Sequence, residues 1–171
     1  MVKVALLSVH VVAAILLVGP ITVAASVFPR YARLALAEAG TPDRVAAESA
    51  RSTAAAMHRI SRGYAVPALA VPVFGIGVGS AMHVLGEGWV LVSIALTLAA
   101  AALLAGGVLP GQRSVLEALA HAAGTAAAVT DGSGPAGGRL RRLGLVTGVF
   151  SLLWVVVVVL MILRPGSTTG V

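Results

Sequence analysis

The chain has 171 residues, 58% of them hydrophobic and 11% charged, and its mean hydropathy is +1.01; a soluble domain of this size would lack the polar surface to stay dissolved. Cysteine is absent, which excludes disulfides, iron–sulfur clusters, thiolate zinc sites and cysteine nucleophiles. The formal charge of +6 sits on residues flanking hydrophobic runs, so its expected counterpart is the anionic lipid headgroup and not nucleic acid.

Four stretches carry no Asp, Glu, Lys or Arg: residues 4–29, 63–86, 88–112 and 143–163. About 20 predominantly apolar residues suffice to cross a hydrocarbon core of roughly 30 Å. Backbone polar groups there have no water to bond, so each stretch must be helical. The expectation is an all-α, four-helix transmembrane bundle forming one domain over residues 1–171, with connecting loops at 30–62 and 113–142.

Span one opens after Lys3 and contains His10 and a Gly19-Pro20 kink. Val23-Ala24-Ala25 before Ser26 also fits a signal-peptide cleavage site, but the apolar run exceeds the usual 7 to 15 residues, so the segment is read as a retained helix. In the first loop, Thr41 as N-cap, Pro42 at the first helical position and Asp43 in the first turn are expected to open a helix running into span two. Arg44, Arg51, His58 and Arg62 share one face of that helix, read as a solvated stripe, and Glu48 is in reach of Arg44 or Arg51. Pro67 and Pro72 make span two the helix expected to bend. Glu87-Gly88 is a tight turn, and Trp89 marks the boundary at which span three begins.

Beyond span three, Ser114-x-x-Glu117 reads as a capping box opening an alanine-rich helix that contains His121. Asp131 to Gly138 reads as a flexible linker by composition, and Arg139, Arg141 and Arg142 then anchor span four. Three pairs, Gly75-x-x-x-Gly79, Gly107-x-x-x-Gly111 and Gly144-x-x-x-Gly148, place glycines one turn apart, where another helix can approach closely. Gly75, Gly79, Gly144 and Gly148 are taken as the helix-packing residues. Trp154, near the middle of span four, is expected to pack against a neighbouring helix.

Ten arginines lie in the two loops, against Lys3 and Arg164 on the other side. The positive-inside bias therefore makes both loops cytoplasmic and puts both termini outside.

Two intramembrane histidines carry what chemistry the sequence offers. From Val4, His10 lies about 9 Å deep at 1.5 Å per residue, and His83 lies roughly 6 Å from the same surface by the same arithmetic. At that shared depth two neutral imidazoles are candidate haem ligands, or metal ligands together with Glu87. The alternative partners are Ser8, Ser93, Thr97 or a carbonyl freed by proline, and a purely structural role between helices. The leading reading is a structural or partner-binding membrane subunit without enzymatic activity. A haem- or metal-binding redox protein, with haem b on His10 and His83, is the alternative.

Leu6-Leu7-Ser8-Val9-His10 through Val18-Gly19-Pro20 resembles the first span of the DUF2269 family of predicted bacterial integral membrane proteins, in which a histidine is followed nine residues later by Gly-Pro. Arg62, Pro67, Gly75 to Gly79 and Trp89 extend the resemblance over spans two and three. It implies a multi-pass protein of the bacterial inner membrane and supplies no mechanism. More distantly, His10, Gly19 and Pro29-Arg30 are similar to the HemJ-like protoporphyrinogen oxidases, small haem-binding four-span proteins. The Pro-Arg pair falls later than in that pattern, and the lysine of a later span has no counterpart, so only His10 carries over as a ligand candidate.

Overall fold

The computed structural model describes residues 2–38, 43–124 and 135–166. Four long helices account for nearly all of them: α1 (Val2–Glu38), α2 (Arg44–Met82), α3 (Gly88–His121) and α4 (Pro135–Leu163). All four are long and apolar enough to cross a membrane, and no strand occurs among the described residues. The expected all-α four-helix architecture is the observed one. As expected of helical loops, the helices continue past the charge-free stretches at the arginine-rich end.

Every helix turns a seam of small or apolar residues inward. On α1 the buried positions Val18, Ile21, Ala25, Phe28, Ala32 and Ala35 recur at alternating steps of three and four residues. That is the spacing of a coiled-coil seam, and it sets neighbouring helices nearly antiparallel. Buried positions likewise recur at steps of three, four or seven residues on α4, through Leu140, Leu143 and Phe150, and at steps of four or seven on α3, through Ala100, Leu104, Val108, Val115 and Leu119. Two apolar clusters result. One, at the arginine-rich end, gathers Phe28, Ala32, Ala54, Val115 and Leu143. The other, toward the Glu87 end, gathers Ile21, Ala25, Ala100, Leu104, Val108 and Phe150.

Prolines shape the helices by changing their winding. A π turn at Ala14–Val18 ends two residues before Pro20, and a second at Leu104–Val108 ends two residues before Pro110. In each place the missing N–H has already interrupted the α-helical ladder. Between Pro67 and Pro72 α2 tightens into a short 3-10 segment, Pro67–Leu69, so the expected irregularity of span two is present.

Several local expectations are corrected. The N-cap of α2 is Asp43, whose side chain accepts a hydrogen bond from the Ala46 N–H; Thr41 and Pro42 lie outside the described residues. Asp43→Ala should lower thermal stability by about 1 kcal/mol, the typical worth of a cap, as read by a melting curve in detergent. Ser114 opens no helix, because α3 runs through it unbroken. Its hydroxyl donates to the Gly111 carbonyl at 3.0 Å, and Glu117 instead pairs with Arg113 at 2.8 Å. Of the two arginines in reach of Glu48, it is Arg51 that lies at 3.8 Å. Pro135 to Gly138 form the first turn of α4, and Asp131 to Gly134 are outside the described residues.

Candidate functional site

His10 is buried, with 8% of its surface exposed. Its Nδ1 lies 2.9 Å from the Val71 carbonyl oxygen. A carbonyl only accepts, so Nδ1 carries the proton and donates, which leaves the Nε2 lone pair free. The ring sits over Gly75, where a Cβ would come within 2.9 Å of His10 Cε1. Gly75 thus makes room for a side chain from α1, as a packing glycine is expected to do. The carbonyl, and not a serine or threonine hydroxyl, is the partner.

His83 stands elsewhere. It ends the α-helical part of α2 in the left-handed conformation at φ 59°, its N–H donating to the Ser80 carbonyl while the Val84 N–H donates to that of Gly79. This is a Schellman-type stop, a place that usually takes glycine. Leu85 folds back over Gly79, with Cδ2 2.7 Å from where a Cβ would be. Gly79 therefore serves this turn and not another helix. His83 is eight residues beyond Gly75, about 12 Å along the helix, farther than an imidazole reaches. The expectation of a shared depth fails because α1 and α2 run antiparallel with His10 opposite Gly75, which sets His83 level with the very start of α1.

Glu87 is engaged at the same end, accepting a hydrogen bond from Trp89 Nε1. Arg164, just after α4, lies over the Trp89 ring at 5.8 Å from its centroid, a cation–π contact joining the end of α4 to the start of α3. No three His, Cys, Asp or Glu side chains among the described residues are grouped as a metal site, so His10, His83 and Glu87 are not brought together as one ligand set.

A second site emerges between the two apolar clusters. On α2, Ser61 falls between Ala54 of one cluster and Ala65 beside the other; on α3, Gln112 falls between Val115 and Val108; on α4, Thr147 falls between Leu143 and Phe150. Ser61 and Gln112 are fully buried, and Thr147 is 3% exposed. Three helices thus each contribute one polar residue to a layer that divides the core. His58, three residues before Ser61, donates from Nδ1 to Gln112 Oε1 at 3.0 Å. It is half-buried and turned inward, not part of a solvated stripe. Among the described residues, Ser61 Oγ, Gln112 Nε2 and Thr147 Oγ1 have no partner. Each such atom costs about 1–3 kcal/mol unless a ligand or water meets it.

Sequence reading passed over this layer, although one signal was there. Gln112 is the only glutamine, and the chain has no asparagine, so the single carboxamide was conspicuous. Ser61 and Thr147 carried no comparable mark.

The arrangement defines a multi-pass helical-bundle membrane protein with one polar layer in its interior. No protein-family model matches the chain, and no curated protein or solved structure matches it either.

Proposed function

We propose that the protein is a structural, partner-binding subunit of the bacterial inner membrane, with its arginine-rich end in the cytoplasm and in contact with anionic headgroups. One observation carries the partner-binding reading. Gly107 and Gly111 are covered by Val146 and Leu143 of α4, and Gly75 and Gly79 by His10 and Leu85. The third pair faces away from the bundle. A Cβ at Gly148 would meet nothing within 4 Å, and one at Gly144 only the tip of Arg33 at 3.9 Å. A small-xxx-small pair left open on a spanning helix is the surface on which another membrane helix packs. The orientation rests on the positive-inside bias, and the bacterial membrane on the resemblance to DUF2269.

Because the natural chain has no cysteine, single cysteines report cleanly. Gly148→Cys is expected to form cross-linked species in native membranes that disappear when Gly144→Leu is added, while the melting temperature in detergent stays unchanged. Free labelling of the cysteine with no cross-link would overturn the reading. For orientation, Ser49→Cys should be shielded from an impermeant thiol reagent in intact cells and Gly86→Cys labelled; the reverse pattern inverts the topology.

A haem-binding role is the second reading, favoured by the geometry of His10 alone. An axial histidine ordinarily donates its other ring N–H to a carbonyl or carboxylate, which fixes the tautomer and raises ligand basicity. His10 has that anchorage at Val71. His83 does not fit as its axial partner. The expected result under this reading is a Soret band in the purified protein that vanishes in His10→Ala and survives His83→Ala; a colourless protein excludes it.

A further inference from the structure

The unpaired groups do not stop at the polar layer. On α4, Ser151 lies one turn beyond Thr147 and Trp154 about two turns beyond it, toward the Glu87 end. Ser151 Oγ and Trp154 Nε1 are buried without a partner as well. Trp154 packs against the cluster that contains Ala100. From Ala100, Thr97 and then Ser93 follow at one-turn steps on the same buried face of α3. Ser93 donates to the Trp89 carbonyl, and Trp89 in turn bonds Glu87. A polar interior atom thus recurs at every turn or two from the polar layer beside His58 to Glu87.

The hydroxyls along this line behave in two ways. Ser93 and Thr97 each donate to the carbonyl four residues earlier on their own helix, as Thr22 does on α1, the usual resolution for a hydroxyl in lipid. Ser61, Thr147 and Ser151 do not. Unpaired buried polar atoms lying in sequence are what internal water molecules satisfy, each water taking two to four such partners. The line carries no charged side chain between His58 and Glu87, so a metal cation would have only neutral hydroxyl and carboxamide oxygens to replace its hydration shell. A proton needs no such replacement, because it passes along hydrogen-bonded water and hydroxyl groups, with histidine and glutamate as the groups able to take it up or release it at the ends.

We infer that internal water occupies the polar layer and its continuation along α4, and that this file carries protons between half-buried His58 beside the layer and Glu87 at the far end of the bundle. The inference stands apart from the partner-binding reading, since none of its residues belongs to the open glycine pair.

The test uses the full chain purified in detergent and reconstituted into phosphatidylcholine–phosphatidylglycerol vesicles that hold a trapped pH dye. A potassium gradient with valinomycin sets the driving potential. Vesicles with protein are expected to take up protons faster than protein-free vesicles. Ser151→Ala should lower the rate, Thr147→Val together with Gln112→Leu should abolish the protein-dependent part, and Thr147→Ser should retain it. A wild-type rate no faster than that of empty vesicles would overturn the proposal, and so would an undiminished rate in the folded variants. If the double variant fails to fold, radiolytic hydroxyl-radical footprinting of the wild-type chain decides. Trp154 oxidises readily where bound water lies beside it, and its full protection would count against the file.

Discussion

Gly107→Leu and Gly111→Leu should each lower the melting temperature of the detergent-solubilised protein, with a loss of about 1–3 kcal/mol typical of overpacking. The reason lies in two contacts between α3 and α4. A Cβ at Gly107 would sit 2.8 Å from Val146 Cγ1, and one at Gly111 would sit 2.9 Å from Leu143 Cδ1. Leu143 is buried in the apolar cluster of the arginine-rich end, and Val146 packs against the other cluster. Within lipid the helices are held mainly by van der Waals contact, so forcing them apart removes the attraction along with the fit. Gly148→Leu is the internal control and should melt like the wild type, because its Cβ direction is open. Equal melting of all three variants would mean that α3 and α4 do not meet at these glycines.

The second large effect is expected at the contact between His10 and α2. Gly75→Val should destabilise by about 1–3 kcal/mol through overpacking. The added carbon would come within 2.9 Å of His10 Cε1 and drive the ring off the Val71 carbonyl. His10→Leu should cost a comparable amount by removing the donor that ties the two helices. His10→Asn should fare better, because its amide NH2 can still donate to the carbonyl. Thermal melts of the single variants and of the pair Gly75→Val with His10→Ala make the test. If the clash is the cause, the small side chain at position 10 relieves part of the valine penalty. Strictly additive losses would show that the two residues do not touch.

The four-helix fold was legible in the sequence because the bilayer leaves so few alternatives, and the charge-free stretches marked it directly. Proline was a partial guide to winding: irregular turns precede Pro20 and begin at Pro67, while Pro29 lies in continuous α-helix. The caps and pairings were less legible. Ser114 and Glu117 matched a capping-box pattern, yet nothing in the pattern records that α3 is already helical when it arrives there. The partner of His10 depended on the register of α1 against α2, which spacing within either helix does not encode. Depth counted from Val4 for one histidine and from Glu87 for the other assumed both helices start at the same plane. The polar layer was the hardest to foresee, since Ser61, Gln112 and Thr147 fall at one level only through the register of three helices.

The π turns bear on how such a chain changes length over generations. A π turn holds one residue more than an α turn, so deleting a single residue within Ala14–Val18 converts it to ordinary helix that still closes one revolution, and the segment before it keeps its facing. His10 then stays opposite Val71. The same deletion in the α-helical residues between His10 and Ala14 rotates the preceding segment by about 100° and puts Val9, now exposed, in the place of His10 against α2.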